Sequence, residues 1–541
     1  MSEDMNNNVQ ETTETTATPE KKTFGKRLDG FFGITARGSS FRTEIVAGIV
    51  TFLAMCYILT VNPNQFFYAG TADGRWTAVF MATAFGAIIG TLLMAFWAKL
   101  PLAQASGMGL NSLVGTIIGG GIGSFSIYVF EFSLANAMAM VLISGVLFLL
   151  LSVISIKGKS LRQYIFEGIP AGIRTAIPVG IGLFIAYIGF QNAGVIVTNG
   201  FTQVGMIDFT NWAEQLKNWG QLIPGTVPGE SIQINAVYAT VQSAIVCLVG
   251  LILIAVLSHC KVKGAIIFGI LGATLLGIPL GVTNVNIITG SESGISWAFW
   301  ENFANYFSFG ENGVFGIAFT GFGFPEGSLF TVIMLIISMC MIDMFDTMGT
   351  CVGCCSAAGL MDEKGVPLNY DKIMYADSIA TCTGAMLGTS TVTTFVESGA
   401  GVAAGGKTGL TALTTAIMFF LAIFLLPVFA MIPSAAAASA LIYVGVLMMK
   451  GVKNINFSDI RVAVPAFLAI AIMPLGYSIT KGIGMAILSY VVISVIAYVI
   501  DIIKYAVSKK EDKVKPAWEV SIVTIIVAVL FVVYFFVPTV L

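Results

Sequence analysis

Four acidic residues lie within or beside apolar stretches of the sequence: Asp343, Asp346, Asp377 and Glu397. The same stretches contain almost no basic residues. If they cross a bilayer, a charge at its centre costs about 2.5–3.5 kcal/mol even on insertion scales. Such acids are therefore expected to be protonated, hydrogen-bonded or facing a ligand. Carboxyl groups without a basic partner suit a ligand with N–H donors, or an exchangeable proton, and disfavour an anion.

The four acids differ in what surrounds them. Glu397 directly precedes a glycine-rich break, and Asp346 lies three residues from Asp343, so those two share a helix face. We predict a ligand role for Asp346 and Glu397 and a structural role for Asp377, and leave both roles open for Asp343. Burial favours the protonated form of a carboxyl group. Asp346, Glu397 and Asp343 are therefore the candidates for a coupling proton, with Asp346 preferred.

Two glycine-rich strings interrupt apolar segments, SGMG at 106–109 and SGAG at 398–401, and the second follows an extended-favouring run at 389–394. Glycine allows the backbone to leave helical geometry and approach a ligand. A half-helix beginning at each string would present free N–H groups and the positive end of its dipole. Asn111 could cap the first half-helix or contact the ligand. Transporters bind substrates at interrupted helices of this kind.

The elements that position these residues are apolar helices. Of 541 residues, 56% are hydrophobic and 10% charged, whereas soluble domains contain about 25% charged residues. Runs near 20 residues match a bilayer core, so we predict a polytopic membrane protein. The fourteen predicted spans are 44–62, 77–98, 106–121, 133–155, 171–194, 236–258, 264–284, 328–350, 373–388, 396–409, 411–431, 434–451, 463–479 and 482–502. A further apolar stretch, 517–538, is either an extra span or a helix packed against the bundle.

Basic residues set the expected orientation. They precede the first span and recur in the loops after the even-numbered spans, whereas loop 285–327 has neither Lys nor Arg. The positive-inside rule then places the N-terminus in the cytoplasm of a multi-pass cell-membrane protein. Residues 1–22 are polar and are expected to be a disordered tail, and no apolar signal core opens the chain.

Several function classes are disfavoured. The formal net charge is −2, which gives no nucleic-acid footprint. The single histidine, His259, ends an apolar run, and Cys351, Cys354 and Cys355 have no second cysteine pair or nearby histidine. The sequence contains neither HExxH nor GxSxG. We therefore expect no enzyme activity, catalytic residue, metal site or cofactor.

Short strings recur in the same order in both halves of the chain. The pairs are GAIIGT at 86–91 with GAMLGT at 384–389, SGMG with SGAG, Ile169-Pro170 with Ile432-Pro433, and Lys263-Gly264 with Lys481-Gly482. They divide the chain into spans one to seven and eight to fourteen. Seven is odd, so the second copy enters the membrane from the opposite side, an inverted repeat of the kind found in secondary transporters. Helix packing also explains the glycine spacing.

Longer strings carry a resemblance to a known family. They are RTEIVAGIVTFLAMCYILTVNP at 42–63, GMGLNSLVG at 107–115, IGLFIAYIGFQNAG at 181–194, MFDTMGT at 344–350, GTSTVTTFVESGAGVAAGGKTGLTA at 388–412 and ALIYVGVLM at 440–448. Over residues 24–502 the chain resembles the adenine/guanine/hypoxanthine permeases, the AzgA-like branch of the nucleobase–ascorbate (nucleobase:cation symporter-2) transporters.

The resemblance implies an all-α fold of fourteen spans in two inverted sevens, with a short strand before the half-helix in spans three and ten. It also implies a core domain that moves against a gate domain. The expected divisions are a cytoplasmic tail at 1–42, core parts at 43–155 and 328–431, gate parts at 156–327 and 432–502, and a basic linker with an extra apolar helix at 503–541.

The resemblance implies a set of substrate-binding residues. These are Gly109, Asn111, Asp346, Thr350, Phe395, Glu397, Ser398 and Gly399. Asp346 and Glu397 would accept hydrogen bonds from the base, and Phe395 would stack on its ring. Backbone N–H groups near Ser398 and Gly399 would donate to ring acceptors.

The expected function is proton-coupled uptake of a purine base (adenine, guanine or hypoxanthine) by alternating access. The expected partners are the base, a proton, the lipid bilayer and a second copy bound through the gate domain. The alternatives are a transporter of the same fold for xanthine, uracil or ascorbate, and a channel or anion exchanger. A channel or exchanger predicts positive charge near the half-helices, where only Lys407 occurs.

Overall fold

A computed structural model gives the architecture. It describes residues 24–67, 75–118, 132–156, 159–199, 203–207, 209, 241–287, 297–307, 313–363, 366–507, 517–518 and 520–536. The disordered tail expected at 1–22, the last residues of predicted span three, the first residues of predicted span six and most of the linker after 507 lie outside these residues.

The first half of the described chain is helical with short strands. Its helices are α1 (Phe24–Phe32), α2 (Phe41–Met55), α3 (Ile58–Phe66), α4 (Arg75–Leu93), α5 (Met108–Ile117), α6 (Leu134–Val153), α7 (Leu161–Gly168), α8 (Ala171–Asn192), α9 (Val241–His259), α10 (Ala265–Gly277) and α11 (Phe299–Tyr306). Its strands are β1 (Gln104–Ser106), β2 (Ser155–Ile156), β3 (Lys159–Ser160), β4 (Ile196–Asn199) and β5 (Gln203–Met206).

The second half repeats the pattern of long helices around one short strand. Its elements are α12 (Leu329–Ala358), α13 (Tyr370–Leu387), β6 (Val392–Thr394), α14 (Ser398–Ala403), α15 (Gly409–Ile423), α16 (Leu426–Ala430), α17 (Ser434–Met448), α18 (Ile460–Leu475), α19 (Ile479–Val507) and α20 (Ile522–Phe536).

Each of the fourteen predicted spans contains a helix. Eight helical segments of the described chain are long and apolar enough to cross a membrane by length and composition. Shorter apolar helices, among them α5, α10, α15 and α18, occupy other predicted spans. The chain is therefore a multi-pass membrane protein.

Several predicted boundaries were wrong. Predicted span one is interrupted at Cys56–Tyr57, and predicted span eleven breaks between α15 and α16. The helix of predicted span eight runs eight residues further, to Ala358, and ends at Gly359 in the left-handed conformation. Residues 351–358 (CVGCCSAA) are still mostly apolar, so the predicted end at 350 came too early. Predicted span ten is mostly not helical, because only Ser398–Ala403 forms a helix.

The short strands that lead into predicted spans three and ten pair with each other. Strands β1 and β6 pair antiparallel, with Gln104 opposite Thr394 and Ser106 opposite Val392. Each strand leads into a short helix, β1 into α5 and β6 into α14. The strands satisfy each other's backbone groups, which permits extended chain inside a helical membrane protein. The predicted strands before two half-helices are confirmed.

Helix packing defines two groups in the described chain. In the first, α15 contacts α2 and α4, α13 contacts α4 and α6, and α14 packs between α2 and α12. In the second, α8 contacts α17 and α18, α18 contacts α19, and α9 contacts α10 and α17. These are the helices expected in core and gate respectively; their division into moving domains stays a prediction.

The apolar stretch near the C-terminus packs against the bundle. Helix α20 contacts α19, α7 and α12. Phe531 is 2% exposed and lies against Gly484 of α19. Thr524 donates a hydrogen bond to the Gly168 carbonyl at 2.5 Å. With 15 residues in the described helix, α20 is shorter than the roughly 20 residues that span a bilayer.

Candidate substrate site

A cavity of about 750 Å³ lies between the half-helices and the second helix group. Ligand pockets in proteins commonly measure about 300–1,000 Å³. One side is formed by the α5 and α14 termini and by α12, and the other by α8 and α17. Among the predicted site residues, those lining the cavity are Gly109, Asp346, Thr350, Phe395, Glu397 and Gly399.

Glu397 lies immediately before α14 and is only 6% exposed. Its Oε1 accepts a hydrogen bond from the Tyr57 hydroxyl at 2.6 Å. Its Oε2 is buried and has no hydrogen-bond partner within the described part of the chain. Buried polar atoms in proteins are nearly always paired, so this oxygen beside a cavity is suited to accept from a ligand N–H or to hold a proton.

Asp346 lies on the cavity face of α12, where it is half-buried. Thr350, one turn further along, also lines the cavity, and so do Gly349 and Gly353. The half-buried carboxyl group therefore faces the cavity from the helix, whereas Glu397 faces it from a loop. Two acids from different elements of the second repeat thus border one space.

Phe395 begins the connection from β6 to α14 and borders the cavity, although it is only 4% exposed. Its backbone N–H donates to the Ala103 carbonyl at 3.0 Å, which continues the pairing of β1 and β6. This bond fixes the segment that carries both Phe395 and Glu397. Pairing of β1 with β6 therefore fixes the positions of the Phe395 ring and the Glu397 carboxyl group together.

The free backbone donors lie at the first half-helix. At α5, the N–H groups of Met108 and Gly109 have no hydrogen-bond acceptor among the described residues, and both residues line the cavity. At α14, Ser398 N–H donates to Phe395 O at 3.1 Å and Gly399 N–H to Val396 O at 3.0 Å. The predicted free donors at Ser398 and Gly399 are thus wrong, because a tight turn before α14 uses them.

Two predicted site residues hold the strands instead of lining the cavity in the described structure. The Asn111 Oδ1 atom accepts from Ser106 at 3.0 Å and from Ser390, and Nδ2 donates to the Ser106 carbonyl at 3.3 Å. The Ser398 hydroxyl accepts from Ala103 N–H at 3.0 Å. Asn111 therefore ties α5 to β1 and to Ser390 just before β6, and Ser398 ties α14 to Ala103 just before β1.

Asp343 of α12 and Asp377 of α13 each accept a hydrogen bond from a threonine on the other helix. Thr381 donates to Asp343 at 2.7 Å, and Thr347 donates to Asp377 at 2.7 Å. Asp377 also accepts from the Gln104 amide of β1 at 2.7 Å. Both acids are completely buried. Asp377 thus fixes a strand to two helices, as a structural role requires, and Asp343 lies behind the cavity wall.

Sequence reasoning missed Tyr57 and Glu44. Tyr57 is 1% exposed at the break between α2 and α3, 340 residues from Glu397. Glu44 is fully buried and accepts from the backbone N–H groups of Lys407 and Thr408 at 3.0 and 3.1 Å, at the start of α15. A tyrosine inside an apolar span was the one available signal. No group of three or more His, Cys, Asp or Glu residues in the described chain could hold a metal.

Comparison with known proteins decides the family. A family model described as "Permease family" matches residues 42–213 and 225–485, most of the chain. The chain belongs to this permease family. Family membership makes it a membrane transporter and not an enzyme, and confirms the resemblance stated above.

Named relatives of this permease cover almost its whole length. Adenine permease AdeP of Escherichia coli (strain K12) is 33% identical over 469 residues, 86% of this chain and 90% of AdeP. Guanine/hypoxanthine permease PbuO of Bacillus subtilis (strain 168) is 35% identical over 467 residues, 85% of this chain and 93% of PbuO.

A solved structure shows the fold of the permease. The transmembrane domain of the cyanobacterial bicarbonate transporter BicA superposes with a TM-score of 0.53 and 15% identity, covering 82% of this chain and 97% of that domain. The permease therefore has the inverted-repeat fold that was predicted from its recurring strings. At this identity the likeness concerns the fold alone.

Proposed function

We propose that this permease takes up purine nucleobases together with a proton. The observation that carries the proposal is the unpaired Glu397 Oε2 beside a cavity that Asp346 also borders. The relatives named for adenine and for guanine and hypoxanthine transport support the purine class. A neutral base offers the ring and exocyclic N–H donors that two carboxyl groups require.

The base would be held from three sides. Glu397 and Asp346 accept its N–H groups, and the free N–H groups of Met108 and Gly109 donate to its ring acceptors. Phe395 packs on the ring face. The donors come from the first repeat and the acceptors from the second, so the complete set of binding groups is assembled only where β1 pairs with β6.

The coupling proton would reside on Asp346. This carboxyl group is half-buried in the cavity wall and so is reached by both solvent and substrate. Asp343 is less suited, since it is fully buried and bonded to Thr381. Glu397 accepts from Tyr57, an arrangement that favours substrate binding over proton exchange.

Transport would follow alternating access of the first helix group against the second. The cavity continues from the half-helices to Ala171 and Arg174 at the start of α8 and to Gly451 and Asn454 beyond α17. Basic residues cluster in the loops at these ends, among them Lys450 and Lys453, so the positive-inside rule places them in the cytoplasm. The structure then corresponds to a cytoplasm-facing state.

The proposal is tested by uptake of radiolabelled hypoxanthine into cells lacking their own purine permeases. Adenine and guanine are expected to compete, uracil is not, and a protonophore is expected to abolish accumulation. Asp346→Asn is expected to lose accumulation against a gradient while retaining exchange of labelled for unlabelled base, since the amide keeps an acceptor oxygen for the base but cannot take up the coupling proton.

Membrane expression is measured for each variant, and Glu326→Gln, an exposed acid away from the cavity, is the matched control. Uptake driven by sodium and indifferent to the protonophore would refute proton coupling. Competition by uracil alone would refute the purine class.

A further inference from the structure

Two glycines follow Asp346 on the cavity face of α12, beside lining side chains such as Met348 and Thr350. Gly349 and Gly353 follow Asp346 at three and seven residues, line the cavity and are exposed to it. The helical rise of 1.5 Å per residue places Gly349 about 4.5 Å along the axis from Asp346. Gly349, which has no side chain, is thus adjacent to the Asp346 carboxyl group, the proposed binding group for the proton and the substrate.

Neither of the usual structural reasons for glycine applies at Gly349. Its backbone is helical and does not have a positive φ. A Cβ atom built on it would have no heavy atom within 4 Å beyond its chain neighbours and its own helix backbone. Glycine inside a helix is less stable than alanine, so the residue is unfavourable for the helix alone.

Gly353 shares this open space with Gly349, whereas Gly109 and Gly401 behave differently. A Cβ on Gly109 would lie 2.9 Å from Ile181 of α8. On Gly401 it would lie 2.0 Å from the Thr51 hydroxyl. These glycines permit close contact between helices. Gly349 instead borders open cavity space, so what its missing side chain provides is volume beside the ligand.

We propose that Gly349 sets the size limit of the substrate, the space above its Cα accepting the second ring of a bicyclic base. This inference rests on the proposed function. It explains why the position three residues after Asp346, which faces the cavity, carries no side chain. A branched side chain at this position would occupy the second-ring space while leaving Asp346 and Glu397 in place.

The test compares two ligands on two variants of the full-length permease, purified in detergent. Dissociation constants for hypoxanthine and uracil are measured with wild type, Gly349→Ala and Gly349→Val. We expect hypoxanthine to bind at least tenfold more weakly to Gly349→Val, with a smaller loss for Gly349→Ala. The ratio of uracil to hypoxanthine affinity is expected to rise in the same order.

Gly30→Val is the matched control. Gly30 lies in α1, outside the cavity, and a Cβ there also meets nothing within 4 Å, so the exchange tests helix propensity without changing the site. Thermal unfolding in detergent reports folding of every variant. If Gly349→Val does not fold, the graded response is read from Gly349→Ala and Gly349→Ser.

The outcomes separate the two proposals. Unchanged hypoxanthine affinity in Gly349→Val, or equal weakening of both ligands, would overturn the size limit while the proposed function stands. Retained binding with transport lost for all ligands would also overturn it, since the glycine would then serve helix movement. A wild-type protein that binds no purine would instead refute the proposed function.

Discussion

At the residue scale, one hydrogen bond organises the site. Tyr57 donates to Glu397 Oε1 and leaves Oε2 for another donor. The tyrosine hydroxyl also lies 3.5 Å from the Met108 sulfur, at the start of the half-helix whose N–H groups are free. Tyr57 therefore positions the carboxyl group relative to the backbone donors across the cavity.

Removing that hydroxyl is expected to weaken substrate binding. In Tyr57→Phe the Glu397 side chain loses its only described partner and its fixed orientation. Hydrogen bonds to charged groups contribute about 1.5–3 kcal/mol, which corresponds to roughly a 10- to 100-fold higher Kd for hypoxanthine. Equilibrium binding of hypoxanthine to the purified Tyr57→Phe protein measures this change in Kd. Affinity equal to wild type in a stably folded Tyr57→Phe protein would show that Tyr57 has no positioning role.

Individual residues also show how far the sequence predicts a site. The sequence predicts that Glu397, Asp346 and Gly109 lie at the cavity. A buried acid is costly unless it has a partner or a ligand, and glycine permits the break in a helix that a ligand site requires. The Tyr57–Glu397 bond and the Asn111–Ser106 contacts do not follow, because they depend on which side chains meet after folding. The turn that consumes the Ser398 and Gly399 N–H groups is likewise a local geometry that composition does not encode.

At the element scale, apolar periodicity predicted the helices but not their ends. Helix α12 continues to Ala358, eight residues past its predicted end, and α2 stops at Met55 within an apolar run. The short strands before the half-helices were expected from the family resemblance, together with the extended-favouring run at 389–394, whereas their pairing was not predicted. Helix α20 was left open as a span or a packed helix, and its contacts with α7 and α19 fit both.

Packing of α20 is expected to stabilise the fold. Phe531 is 2% exposed and contacts Gly484, whereas Phe536 on the same helix is 79% exposed. Phe531→Ala leaves a cavity, a change that costs about 3–5 kcal/mol in protein cores, and is expected to lower the unfolding temperature in detergent by several degrees. Phe536→Ala is expected to leave it unchanged. Equal effects of the two substitutions would show that α20 is not docked as described.

At the scale of the whole molecule, the inverted repeat places the site between two helix groups. The half-helices belong to one group, and their strands join the two repeats through Gln104, Thr347 and Asp377. The opposite cavity wall, with Ile181 and Val444, belongs to the other. Relative movement of the groups would thus expose one bound ligand to each side in turn. The sequence predicts this arrangement because recurring strings encode topology.

The central claim is that Glu397 binds a purine base through its free oxygen. Its most direct measurement is equilibrium binding of hypoxanthine to purified wild type and to Glu397→Gln, with Glu326→Gln as the control. We predict saturable binding to wild type and to the control. Glu397→Gln replaces an acceptor oxygen by a donor and is expected to bind at least tenfold more weakly. Unchanged affinity in a folded Glu397→Gln protein would contradict this assignment.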